Sequence, residues 1–216
     1  MQKRRESFQF GKEDEHTNYY FLLCQSTLPL SGLIMELSVA ALLVLSLACH
    51  SSLALNNGLA LSPPMGWSSW NHYHRKYNES VFYANAKAMA SNGMKDVGYE
   101  YINIDGGWWA GADTGHAQRN ATGFMQVNAE KFPNGIPKLV DYVHSLGLKW
   151  GHYTDAGSHF CNRDEPASYG YEEQDAKLFV SFGADMVKID ACGSTTEQHE
   201  PTMAKWARLF NESGRP

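Results

Sequence analysis

The feature that most restricts this chain is a unit that recurs four times after Leu55: a short apolar stretch, a loop, an amphipathic segment and a glycine. Alternation with period two makes an extended strand with two distinct faces, and apolar residues at helical spacing make a helix with one buried stripe. A glycine at the end suits the left-handed turn that closes helices. The first unit reads Met65-Gly-Trp-Ser-Ser-Trp70, then a helix from near Ser80 with Phe82, Ala86 and Met89 on one side, closing at Gly93. In the second, over residues 99–105, Ile102 and Ile104 face one way and Tyr101, Asn103 and Asp105 the other. Its helix, residues 136–146, carries Ile136, Leu139, Val140, Val143 and Leu146 before Gly147. The third strand is residues 148–153 with Asp155 just beyond it, and its helix, residues 171–182, sets Leu178 and Phe182 on one side before Gly183. The fourth is Asp185-Met-Val-Lys-Ile-Asp-Ala-Cys-Gly193, followed by a helix with Met203, Trp206, Ala207 and Phe210 before Gly214.

Strands that alternate with helices pair in parallel through right-handed crossovers, so the class is α/β. An open doubly wound sheet that binds a nucleotide needs a glycine-rich turn opening a helix. Gly106-Gly107 instead precede two tryptophans and a long loop. A (β/α)8 barrel gathers its functional side chains at the C-terminal ends of its strands. Trp70, Asp105, Tyr153 and Asp190 each sit at or near such an end. Four units make the N-terminal half of such a barrel, and the expectation is a partial domain over residues 55–216 with two open strand edges.

The fourth strand carries the chemistry. Val187 and Ile189 fall on one face, and Lys188 and Asp190 fall together on the other. An ammonium two residues from a carboxylate on the same face favours the ionised acid that a nucleophile must be. Alone, a Lys-x-Asp pair reads more readily as a solvated pair on a half-exposed strand; the three other strand ends that carry Trp70, Asp105 and Tyr153 supply the context for a functional reading.

Residues 1–34 show no period and stay unassigned. Residues 37–49 are almost wholly apolar and are followed by Ser52-Leu-Ala54, so residues 35–54 read as a secretory signal, with a short membrane anchor as the alternative. Of four cysteines, Cys24 and Cys49 lie in or before this segment, which leaves Cys161 and Cys192 to form one disulfide in an oxidising compartment. Sequons at Asn78, Asn120 and Asn211 are compatible with a secreted, glycosylated product. A net charge of -5 with scattered Lys and Arg gives no basic surface for nucleic acid. His72, His74 and His152 lack a third ligand at metal-binding spacing, so no metal is expected.

Six segments, taken together and in order, resemble the α-galactosidase (melibiase) family of retaining glycoside hydrolases, glycoside hydrolase family 27. They are Pro64-Met-Gly-Trp-Ser-Ser-Trp-Asn71, Gly98-Tyr-Glu-Tyr-Ile-Asn-Ile-Asp105, Phe132-Pro-Asn-Gly-Ile136, Tyr142-Val-His-Ser-Leu-Gly-Leu-Lys149, His152-Tyr-Thr-Asp-Ala-Gly157 and Met186-Val-Lys-Ile-Asp-Ala-Cys192. The resemblance implies a barrel enzyme without cofactor acting on galactosides, with Asp190 as nucleophile and Trp70, Asp105, Tyr153 and Lys188 holding the sugar. It also implies that Cys161 and Cys192 pair beside the nucleophile, that the acid/base lies on a later strand, and that these residues alone are inactive. Delivery to a lysosome or vacuole is as compatible as export, and self-association stays open. One departure bears on specificity. The family usually reads Asp-Asp-Cys-Trp where this chain has Asp105-Gly-Gly-Trp108, so a hydroxyl-binding carboxylate is replaced by Gly106 and a second disulfide cannot form at Gly107. A β-L-arabinopyranoside or an α-N-acetylgalactosaminide therefore competes with an α-D-galactoside as substrate. A noncatalytic glycan-binding half-barrel and an unrelated secreted α/β binding module are the remaining alternatives. Trp70 is the expected sugar-facing tryptophan, Trp108 has a weaker claim, Trp109 is unassigned, and Asp155 divides between structure and pocket support.

Overall fold

The computed structural model describes residues 58–215 apart from Ala60 and Asp113. The N-terminal extension, the apolar leader, Cys24 and Cys49 lie outside the described residues. Strand β1 (Gly66–Ser68) runs directly into a single helical turn, α1 (Trp70–Tyr73), and then α2 (Glu79–Ser91). Next come β2 (Tyr101–Asn103), α3 (Ile136–Ser145), β3 (Lys149–Asp155), α4 (Glu172–Phe182), β4 (Met186–Asp190) and α5 (Thr196–Glu212). The strands lie side by side in sequence order and every pair is parallel, as the α/β reading requires. Among the described residues, no helix is long and apolar enough to cross a membrane.

Register turns alternation into two layers. Ile102 pairs with Trp150, and His152 with Val187, so these side chains share the face that the helices cover. Phe82 from α2, Leu139, Val140 and Val143 from α3, and Phe179 and Phe182 from α4 are buried against that face. Tyr153 pairs with Lys188, and Asp155 with Asp190, which puts these four on the opposite face. Removing a side chain such as Leu139 from the covered layer is expected to cost about 2–5 kcal/mol.

Four details differ from the sequence reading, each for a local reason. The N-cap of α2 is Asn78, whose carboxamide oxygen accepts from the Ser80 backbone N–H at 3.1 Å, so the helix starts before Ser80. Strand β3 continues through Thr154 and Asp155, because Ala156 N–H still bonds Asp190 O at 2.7 Å. In α4 the buried position is Phe179, with Leu178 only partly covered, since the stripe follows Glu172, Asp175, Ala176, Phe179 and Phe182. Trp70 opens a helical turn instead of ending a strand.

Candidate active site

Beyond β2 the backbone is pinned from below. Ser69 Oγ accepts from Asp105 N–H at 3.0 Å, and the Tyr77 hydroxyl reaches the carbonyls of Asp105 and Gly106 at 2.8 and 3.0 Å. These contacts fix the Asp105 carboxylate, whose Oδ1 accepts from Gly106 N–H at 2.7 Å. Its Oδ2 accepts from Lys188 Nζ at 2.8 Å. The same ammonium is 3.8 Å from Asp190 Oδ2, so one cation stands between two carboxylates and pairs more closely with Asp105.

The Tyr153 hydroxyl donates to Asp190 Oδ2 at 2.9 Å. Among the described residues no donor engages Asp190 Oδ1, and the side chain keeps 34% of its surface exposed. That is the state a nucleophile needs: one oxygen anchored for aim, the other open to a reacting carbon. Burial, followed by the neighbouring Asp190 charge and the bond to it, pushes the Tyr153 phenol well above its usual range, so it stays a donor.

Trp70 joins the cluster through Gly106. A Cβ built on Gly106 would lie 3.4 Å from Tyr153 Cε1, 3.5 Å from Trp109 Cη2 and 3.7 Å from Trp70 Cζ3. Three aromatic rings thus surround one point beside Asp105, at ordinary contact distance. All five residues expected to form the site, Trp70, Asp105, Tyr153, Lys188 and Asp190, come together around the C-terminal ends of the strands.

Of the two neighbouring tryptophans, Trp108, which had the weaker claim to the sugar, lies away from the cluster, and Trp109, which was unassigned, lies beside it. Trp108 lies in the helix layer, fully buried against His152, Phe179 and Phe182, and its Nε1 donates to Tyr153 O at 2.9 Å. Trp109 is the one that approaches the cluster: it stacks on Phe160 with ring centroids 3.7 Å apart and lies parallel to Tyr153 at 6.3 Å. In a loop the alternation that sorts strand faces no longer applies, so sequence could not choose between adjacent indoles.

Cys161 and Cys192 form a disulfide, joining the loops after β3 and β4 beside Asp190. The loops also meet where Gly157 faces Gly193 so closely that a Cβ on either would overlap the other's loop backbone. Asp155 serves this junction. It is fully buried and accepts from Gly157 N–H at 2.8 Å and Cys192 N–H at 3.1 Å, and burial raises its pKa against the pull of those bonds. Its oxygens hold the loops together, so it is structural. Asp155, Cys161 and Cys192 also lie near one another, but with both sulfurs in the disulfide no thiolate is left to bind a metal. His152 points into the helix layer, where burial lowers its pKa to about 3.

Comparison with known proteins gives the geometry a lineage. A probable α-galactosidase of Dictyostelium discoideum is 46% identical over 180 residues, 83% of this chain and 45% of that protein. Alpha-galactosidase 2 of Arabidopsis thaliana is 46% identical over 166 residues, covering 77% of this chain and 40% of the relative. Among solved structures, α-galactosidase I of Mortierella vinacea superposes with a TM-score of 0.67 at 38% identity, across 74% of this chain and 40% of that one. The chain thus spans less than half the length of these relatives, and the fold it shares with them is the N-terminal part of a (β/α)8 barrel. Residues 62–216 match the family described as Alpha galactosidase A, and it is to this family that the chain belongs.

Proposed function

We propose that the cluster around Asp190 is the nucleophile side of a retaining glycoside hydrolase site for terminal α-D-galactosides. The observation that carries this reading is the Asp190 carboxylate itself: Tyr153 holds Oδ2 at 2.9 Å, Lys188, which is paired with Asp105, stands 3.8 Å from the same oxygen, and among the described residues no donor engages Oδ1. In such a reaction the free oxygen attacks the anomeric carbon as the bond to the aglycone oxygen breaks, and water later releases the sugar. Each Asp105 oxygen takes one donor and keeps a second lone pair for a ring hydroxyl, Lys188 offers a donor, and the partly exposed Trp70 offers an apolar face. A retaining mechanism also needs an acid roughly 5 to 5.5 Å from the nucleophile to protonate the leaving oxygen. Asp105 accepts a hydrogen bond at both oxygens and Asp155 is committed to backbone N–H groups, so neither is placed for that role. On this reading the acid comes from a later strand of the barrel, as the family resemblance implies.

Gly106 favours a second reading. It adds no acceptor where three aromatic rings converge. A pyranoside without the hydroxymethyl group, such as a β-L-arabinopyranoside, loses nothing at this position. The disulfide and the three sequons suit a secreted, lysosomal or vacuolar product. Titration calorimetry with D-galactose, L-arabinose and D-glucose tests the reading. Galactose or arabinose should bind at least tenfold more tightly than glucose, and Asp105→Ala should abolish the preference. Equal binding of all three, or a preference untouched by Asp105→Ala, removes the sugar site from this cluster.

A further inference from the structure

Three loops meet at a carboxylate outside the cluster. Asp164, in the loop after β3, accepts at Oδ2 from Arg75 Nη2 at 2.7 Å and from Trp109 Nε1 at 3.0 Å. Arg75 follows α1 and Trp109 follows β2, so one buried oxygen links the ends of three consecutive strands. The Asp164 side chain is only 2% exposed, and its backbone carbonyl accepts from Phe160 N–H at 2.9 Å, which closes the turn carrying Phe160. Lys131 strengthens the junction, donating to the carbonyls of Arg75 at 3.0 Å and Gly107 at 2.9 Å. At Gly107 the backbone φ is +104°, and a Cβ there would sit 3.0 Å from Arg75 Cβ. Only glycine lets the two loops approach this closely, and Asp164 ties them through an ion pair to Arg75 and a hydrogen bond from Trp109.

From this junction the contacts run toward the site. The Trp109 indole, oriented by its bond to Asp164, stacks on Phe160 and lies parallel to Tyr153 at an interplanar angle of 19°. Tyr153 in turn holds Asp190. We propose that Asp164 is a positioning residue for the sugar site, acting with Arg75 to fix the Trp109 indole that backs Tyr153 and thereby aims Asp190. Asp164 touches neither Tyr153 nor Asp190; its influence passes through the ring. This inference rests on the glycoside reading above for the ligand, and on geometry alone for the tie.

The test uses the whole chain, with D-galactose as probe and two readouts: the dissociation constant, and the NMR resonances of the Tyr153 ring and the Trp109 indole N–H. Asp164→Ala is expected to weaken galactose about tenfold and to move both sets of resonances. Asp164→Asn keeps an acceptor for the indole and should restore affinity to within about threefold, a rescue that a general loss of packing would not produce. Should Asp164→Ala not fold, Trp109→Phe keeps a ring in the stack while deleting the donor, and is expected to shift the Tyr153 resonances and weaken galactose about threefold. Unchanged affinity and unchanged Tyr153 resonances in Asp164→Ala or in Trp109→Phe overturn the proposal. Wild-type protein that binds no galactose refutes the glycoside reading instead. The tie is then decided by the Tyr153 resonances, which must move in the variants if Asp164 positions that ring.

Discussion

Two clusters of charge in this molecule have nearly the same ingredients and opposite surroundings. Around Asp175, Arg119 makes a two-pronged pair at 2.7 and 2.8 Å, Ser168 donates to the same carboxylate at 2.7 Å, and Arg119 also reaches the carbonyls of Gly123 and Ala167. The Tyr171 ring covers the guanidinium at 4.0 Å, and the two side chains are 6% and 0% exposed. Around Asp190 a single cation serves two carboxylates, an oxygen is left open, and Lys188 is 47% exposed. An enclosed carboxylate with its partners supplied has nothing left to offer a ligand. An open one with a vacant lone pair does. We propose that the first serves structure and the second chemistry, so each variant below is expected to damage mainly one of the two.

The largest effect is expected from Arg119→Ala. Stranding Asp175 in the interior, where burial already raises its pKa against the opposing bonds to Arg119, should cost about 3–5 kcal/mol in denaturant unfolding. Galactose affinity of the protein that remains folded should not change.

His152 sharpens the contrast within one strand, because it faces the enclosed layer while Tyr153, its neighbour, faces the open cluster. Its folded pKa of about 3 lies below the roughly 6.5 of an unfolded histidine. Above the unfolded value the imidazole is neutral in both states and pH has no effect through it. As pH falls from about 6.5 toward 3, only the unfolded chain takes up the proton, and stability drops by about 1.4 kcal/mol per pH unit. His152→Gln should flatten that slope in urea titrations at pH 6.5 and 4.5, even if the variant is less stable throughout.

Lys188→Ala addresses the open cluster. A charged hydrogen bond to a sugar hydroxyl is worth about 1.5–3 kcal/mol, so galactose should bind roughly ten- to a hundredfold more weakly. The unfolding midpoint should fall less than in Arg119→Ala: Asp105, only 4% exposed, loses its cation, but the half-exposed Lys188 site admits water in place of the ammonium. Smallest of all, Tyr153→Phe keeps the ring and removes one hydrogen bond, for an expected loss of about 0.5–1.5 kcal/mol in galactose affinity. A variant of the open cluster that unfolds the protein as readily as Arg119→Ala would erase the distinction.

What the sequence revealed and what it hid follow the same divide. Alternation in β4 and the glycines after each helix made the layer order readable, and the separation of Val187 and Ile189 from Lys188 and Asp190 made the inner face readable. Arg119 and Asp175 went unseen because they are 56 residues apart and no period links a polar loop to a helix position. The same holds for Arg75 and Asp164, 89 residues apart, which meet only through crossovers. The place of Trp109 beside the cluster went unseen because a loop has no face to alternate. Asp155 was left undecided because its partners are backbone N–H groups, which a sequence does not display.

The most direct test of the central claim, that Asp190 is poised to form a bond to a sugar, is covalent trapping. A 2-deoxy-2,2-difluoro-galactoside with a leaving group that departs unprotonated makes the attack independent of a general acid, and the fluorines slow the release of the sugar by water. Peptide mass spectrometry of the treated chain should find the sugar esterified to Asp190, with no adduct in Asp190→Asn. An adduct on a different carboxylate, or an equal yield from Asp190→Asn, would contradict the account.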